Sequence, residues 1–331
     1  MNNRRVFSYD FVRCLCMLGI VWFHFYQVFQ GPAEVYITGP NSTLGRQAVT
    51  VFFILSGVMS GRSAKQKDSQ EPLFRKAWDY YKKRWWAIFP AFYLAYLMAM
   101  VILQAGPGLL LTPRILFTLL GIDGYLAEGG VATSYLIGEW FLGCLILLYI
   151  ATTFLLQAIK KHPLWAGICA LLIYGTVLLL PSYIRMTETS VLIRGFDYIV
   201  GIYLGLYLQN MKWQLALPSL ILWPVLWLIP LPLPGSLTDS LLGLSSYFVM
   251  LYIGELLDGT NPLLRLIQLP VRFLAARSYE VFLLHHVILY RYAQDLSEAS
   301  FIKGTGWFLF VFAMIVALST ILHACVHDLK G

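Results

Sequence analysis

The feature that most constrains this chain is a run of apolar blocks, each about 17 to 25 residues long, the length that crosses roughly 30 Å of hydrocarbon as helix. Read between charged residues and Pro/Gly breaks, the blocks give ten expected spans at 11–30, 46–62, 85–104, 134–158, 164–181, 193–208, 213–231, 237–256, 273–290 and 305–326. An eleventh stretch, 112–122, is apolar but too short to cross and reads as re-entrant or interfacial. Only 12% of the 331 residues are charged, against roughly 25% in a soluble domain. The expected fold is therefore all-α: a polytopic membrane helical bundle of about ten transmembrane helices plus one short re-entrant or interfacial segment, forming a single domain over 1–331. The first block carries Arg13 and His24 and is followed by no small-residue cleavage site, so it reads as a retained span.

Ten spans put both termini on one side, and the basic residues alternate accordingly. Arg4, Arg5, the eight Lys and Arg of the 62–84 loop, Lys160, Lys161, Lys212, Arg265, Arg272, Arg277 and Lys330 fall on one side. Arg46, Arg114, Arg185, Arg194, Arg291 and Lys303 fall on the other. The positive-inside bias assigns the first set, with both termini, to the cytoplasm. The formal charge of +7 is thereby accounted for by membrane orientation, without nucleic acid as a partner. Cys14, Cys16, Cys144, Cys169 and Cys325 lie in or beside apolar blocks without metal or redox spacing, so reduced, packed thiols are expected.

Ionisable residues inside a span cost at least ~2.5 kcal/mol each and mark candidate sites. Arg13 and His24 lie on one face of the first span, about 16 Å apart along the helix. Asp10, three residues before Arg13, can pair with its guanidinium. His24 is a candidate general base facing a hydrated cavity, although a satisfied core imidazole is the plainer alternative. Glu139 needs a partner at its depth, and His24 is the candidate. Trp140 reads either as an interfacial belt aromatic or as a wall of the site. His285 and His286 point about 100° apart on a helix, so only one is expected to face the cavity. His323 and His327 have metal-like i, i+4 spacing but no nearby acidic or cysteine partner, and no metal is expected.

These residues fall into an ordered set of motifs. Tyr9-Asp10-Phe11-Val12-Arg13 leading to His24 resembles the Arg-x10-His signature of the acyltransferase-3 family of bacterial membrane acyltransferases. RQAVTVFFILSG from Arg46 to Gly57, with Phe52, Phe53 and Ser56, resembles the family's second-span motif. Glu139-Trp140-Phe141-Leu142, Arg194-Gly195-Phe196 with Gly201, and SYEVFLLHH at 278–286 resemble three later segments. The third-span motif departs from the pattern: Lys83-Arg84-Trp85-Trp86-Ala87-Ile88-Phe89-Pro90 carries Ala87 where the family has an arginine, leaving Arg84 or Lys82 to substitute.

The resemblance implies a single membrane acyltransferase domain that moves an acyl group, acetyl in the first instance, from acyl-CoA to a hydroxyl of a carbohydrate or lipid-linked sugar. Acetyl-CoA is the implied co-substrate. The implied setting is the bacterial inner membrane, and a homodimer is compatible with it. His24 and Arg13 are the implied essential residues, with Asp10 and Glu139 beside them. Lys82, Lys83 and Arg84 are candidates for the donor phosphates. Arg46, Ser56, Gly57, Trp140, Arg194 and His285 are candidates for substrate contact, Gly57 by letting backbone approach the acyl group. A carrier or flippase of lipid-linked sugars is the rival class, and the absence of visible internal repeats counts against it.

Overall fold

The computed structural model describes residues 6–29, 38–65, 71–180, 189–208, 213–292 and 301–330. Arg4, Arg5, Lys67, Arg185 and Lys212, used above for orientation, lie outside them. The described residues form thirteen α-helices: α1 Phe7–Phe29, α2 Leu44–Lys65, α3 Leu73–Ile102, α4 Ile115–Leu119, α5 Asp123–Glu128, α6 Glu139–Lys161, α7 Pro163–Leu179, α8 Val191–Tyr207, α9 Trp213–Leu228, α10 Gly235–Leu257, α11 Pro262–Ala276, α12 Ser278–Tyr292 and α13 Phe301–Lys330. The protein is a helical membrane bundle. Six helices, α1, α2, α3, α6, α10 and α13, are long and apolar enough to cross a membrane.

Every expected span falls on a helix, with two informative differences. α3 begins at Leu73, twelve residues before the expected edge at 85, because Arg75, Lys76, Lys82 and Lys83 end the hydrocarbon span without ending the helix. The ninth span is split at Arg277: α11 ends at Ala276 and α12 begins at Ser278. Ser278 Oγ turns back to the Ala275 carbonyl at 3.0 Å. The break leaves α11 with Leu263, Leu266 and Leu269 exposed beside Arg265. Within the expected short segment, 112–122, only α4 is helical; a 3-10 turn at Pro107–Leu111 precedes the segment and α5 follows it.

Helices α2 and α8 touch through backbone. A methyl group at Gly57 would lie 2.1 Å from the Tyr198 carbonyl, and one at Gly201 would lie 2.1 Å from the Ile54 carbonyl. Gly61 and Gly205 repeat the relation one turn along, against Ile202 and Val58. Two small-xxx-small faces thus interlock, the means by which membrane helices gain close packing when no hydrophobic force drives them together. Gly57 therefore belongs to this crossing rather than to an approach of backbone to the acyl group. Tyr198, clamped there, shares hydrogen bonds with Ser60 at 2.9 Å and Thr152 at 2.7 Å, tying α6 to the pair.

At one end of the bundle Lys160 Nζ donates to the Ala64 carbonyl at 2.9 Å and Arg62 lies over the Tyr9 ring. The basic ends of α2 and α6 and the start of α3 share that end. His24 and Glu139 sit toward the opposite end. Cys14, Cys16 and Cys144 are buried thiols, whereas Cys169 and Cys325 are exposed on the outer helix faces, so packing holds for three of the five.

Candidate active site

Glu139 opens α6 from a constrained turn. Gly138 has φ +91° and Glu139 itself has φ +43°, a left-handed conformation that costs an L-residue about 1–2 kcal/mol. Short helix α5 holds the turn in place: a Cβ on Gly124 would meet the Glu139 carbonyl at 2.5 Å, and one on Gly143 would meet Tyr125 Cβ at 2.5 Å. Asp123 closes the start of α5 by accepting from Thr118 at 2.8 Å and from the Gly124 N–H at 2.9 Å. The turn of Glu139 is thus buttressed by α5, which directly follows the segment read as re-entrant or interfacial and is tied to it by the Thr118–Asp123 bond.

The two oxygens of Glu139 face different partners. Oε2 is 3.7 Å from His24 Nε2, while Oε1 is 3.4 Å from His285 Nε2 and 3.3 Å from His286 Nδ1. The expectation that only one of the adjacent histidines reaches the site is corrected here. The carboxylate sits in the angle between the two side chains, and each imidazole offers a different ring nitrogen, so residues about 100° apart converge on one oxygen. His24 and His286 also meet edge to face, with ring centroids 4.0 Å apart. One ligand atom from each of His24, Glu139, His285 and His286 lies within 4.8 Å of the others, so these four are the group able to hold a metal ion among the described residues. His323 finds its acid through the fold: Glu280 Oε1 is 2.8 Å away, across α12 and α13.

Below this cluster lies a chamber of about 140 Å³, lined by Arg13 and Ser56 at one end, His285 at the other, and Val21, Phe52, Phe141 and Phe282 between. The Arg13 guanidinium donates to buried Asp10 at 3.1 Å, the pairing expected from their spacing. Arg13, His24, Glu139, Ser56 and His285 therefore belong to one continuous site.

A larger cavity of about 950 Å³ opens at the basic end and is lined by Ser60, Tyr80, Lys76, Lys83, Lys160 and Lys161 among others. The three residues expected to hold donor phosphates are separated. Lys83 lines the cavity; exposed Lys82 is not among its lining residues. Arg84 turns inward, its guanidinium 4.6 Å from the Tyr149 ring and its Nε donating to the Tyr80 hydroxyl at 3.2 Å.

Arg194 is also turned away from the site. It is fully buried, donates to Thr50 at 2.7 Å and Asp197 at 3.2 Å, and lies 3.8 Å from Asp239. Arg46 approaches the same Asp239 at 3.8 Å, and Ser42 hydrogen-bonds it. Trp140 lies between the Arg194 guanidinium, 5.8 Å away, and the stacked Phe53 ring. It packs inside the bundle between this ionic network and Phe53, not in an interfacial belt. Asp197 and Asp239 escaped notice in the sequence, although acids inside apolar blocks are the signal that singled out Glu139.

A family model described as an acyltransferase domain matches residues 6–324. The chain belongs to the acyltransferase-3 family. Among curated relatives, the acyltransferase MdmB of Streptomyces mycarofaciens is 25% identical over 243 residues, a match covering 61% of this chain and 59% of that protein. The match thus spans less than two thirds of the relative's length. No solved structure matches the chain. For this family member, five segments that carried the resemblance come together as one architecture: α1, α2, α6, α8 and α12 surround the chamber and its supporting ionic network.

Proposed function

We propose that the protein is a membrane O-acyltransferase moving an acyl group, acetyl first among candidates, from acyl-CoA to a hydroxyl of a cell-envelope or lipid-linked carbohydrate. The observation that carries the reading is Glu139 gathering His24, His285 and His286 at the head of a chamber whose other end holds Arg13. Family membership supports acyl transfer as the chemistry. The donor's phosphates sit in the basic cavity against Lys76, Lys83, Lys160 and Lys161, and its arm enters toward the chamber past Arg13. The bias of basic residues puts that cavity and both termini on the cytoplasmic side of a bacterial inner membrane.

In this mechanism His24 Nε2 takes the proton of the acceptor hydroxyl as its oxygen attacks the thioester carbon. The C–S bond breaks, the ester C–O bond forms, and the proton passes from His24 to the CoA thiolate. Gln27 and Glu139 set the imidazole: Nδ1–H donates to Gln27 Oε1 at 3.0 Å, which leaves Nε2 as the basic nitrogen facing the carboxylate. Arg46, 29% exposed at the His24 end, is the remaining candidate for acceptor contact.

Expression in a bacterium whose envelope glycans lack O-acyl groups tests the acceptor. The expected result is alkali-labile acyl on a glycan or lipid-linked sugar, found by mass spectrometry with the wild type and not with His24→Ala. Active thioester turnover with acyl appearing on no carbohydrate would overturn the acceptor assignment.

A further inference from the structure

The contacts around Glu139 Oε1 have a geometry that hydrogen bonding does not explain. His285 is fully buried, and its Nδ1 lies 2.7 Å from the Phe282 carbonyl. A carbonyl only accepts, so Nδ1 carries the proton and Nε2 of the neutral ring is a bare lone pair. That lone pair is aimed at a carboxylate oxygen 3.4 Å away, and both atoms are buried without a hydrogen-bond partner among the described residues. Two acceptors held face to face in a low-dielectric interior repel one another unless a hydrogen-bond donor or a cation lies between them.

A second proton on the ring would draw the pair into a charge-assisted hydrogen bond of about 2.7–2.9 Å. The observed separations are 3.4 and 3.3 Å, from Glu139 Oε1 to His285 Nε2 and His286 Nδ1. Zinc-type bonds of about 2.0–2.1 Å arranged tetrahedrally place neighbouring ligand atoms about 3.3–3.4 Å apart. The donation of His285 Nδ1 to a backbone carbonyl is also the outer-shell contact that fixes the tautomer of metal-bound histidine.

We infer that Glu139, His285 and His286 form a three-ligand site for a divalent first-row transition ion of the zinc class, with its open position beside His24. This departs from the expectation, drawn from sequence, of no metal. Two neutral imidazoles and one carboxylate leave a bound dication with net positive charge, suited to an acceptor hydroxyl or the oxyanion formed on the thioester carbon. His24, at 3.7 Å from the other carboxylate oxygen, keeps its role as base. The inference goes beyond the acyl-transfer reading and stands on geometry that does not depend on it.

The test uses the full chain, purified without a histidine tag into nanodiscs and dialysed against metal-free buffer. Metal content is read by mass spectrometry, and the visible spectrum is read after stripping and loading with Co²⁺. The expected result is one ion per chain and four-coordinate cobalt bands in the wild type. Both should be lost in Glu139→Gln and His285→Ala and kept in His24→Ala. Monodisperse wild type with sub-stoichiometric metal and no cobalt bands would overturn the inference, as would full binding by both ligand variants. The wild-type cobalt spectrum decides the matter even where a ligand variant fails to fold. CoA release is measured separately: turnover by protein that takes up no metal sinks this site and leaves the acyl-transfer reading standing, whereas stoichiometric metal without turnover does the reverse.

Discussion

Replacing Gly201 with alanine puts a methyl group 2.1 Å from the Ile54 carbonyl and 3.0 Å from Gly57 Cα. Ordinary contact begins at 3.4 Å, so α8 must move off α2 by about 1.3 Å at this point, since backbone on both sides leaves no flexible side chain to yield. Overpacking of this kind costs about 1–3 kcal/mol. The movement also stretches the Ser60–Tyr198 bond of 2.9 Å and the Arg194–Thr50 bond of 2.7 Å, each worth about 0.6 kcal/mol within a membrane. The higher helix propensity of alanine returns at most ~1 kcal/mol. A net loss of about 1–3 kcal/mol, at roughly 2–4 °C per kcal/mol, lowers the unfolding midpoint by about 2–12 °C. A thiol-reactive dye in detergent reads this, because Cys14, Cys16 and Cys144 become reactive on unfolding over the baseline of exposed Cys169 and Cys325. Gly175→Ala is the control, having nothing among the described residues within 4 Å of its added methyl, and should leave the midpoint unchanged or raised. Equal midpoints for Gly201→Ala and Gly175→Ala would refute the close crossing.

Arg194→Met removes the cation that Asp197 faces and one of the two, with Arg46, that approach Asp239. A broken buried pair costs about 3–5 kcal/mol, so little folded protein should be recovered from membranes by size-exclusion chromatography. Glu139→Gln leaves the chamber lining intact and should cut acyl transfer by about 10²-fold with donor binding retained in equilibrium dialysis. Lys76→Ala and Lys160→Ala should raise the KM for acyl-CoA several-fold and flatten its salt dependence. Lys82→Ala should do neither, because Lys82 does not line the cavity.

The helices themselves were legible because a bilayer demands long apolar blocks, and these blocks fell on helices, although one divides at Arg277 and six of the described helices, not ten, are long and apolar enough to cross. Asp10, Arg13, His24 and Glu139 were legible for the related reason that a charge in an apolar block stands out. Convergence was harder to read. His286 reaches the site only because Glu139 occupies the angle between two neighbouring side chains, and the placement of Glu139 depends on a left-handed turn held by Gly124. His323 and Glu280 are 43 residues apart and meet only through the packing of α13 on α12. The residues expected to hold donor phosphates divided for a similar reason. Residues 82–84 are consecutive on a helix and so point in three directions, while Lys76, Lys160 and Lys161, distant in sequence, line the same cavity as Lys83.

The most direct test of the account follows free CoA released from acetyl-CoA by purified protein in nanodiscs. Wild type is compared with His24→Ala and Arg13→Ala, and the folding of each is checked by the thiol-dye midpoint. The account predicts slow turnover by wild type, loss of turnover with donor still bound in His24→Ala, and weakened donor binding in Arg13→Ala. Folded wild type that neither binds nor turns over any short acyl-CoA, or His24→Ala that turns over at the wild-type rate, would contradict it.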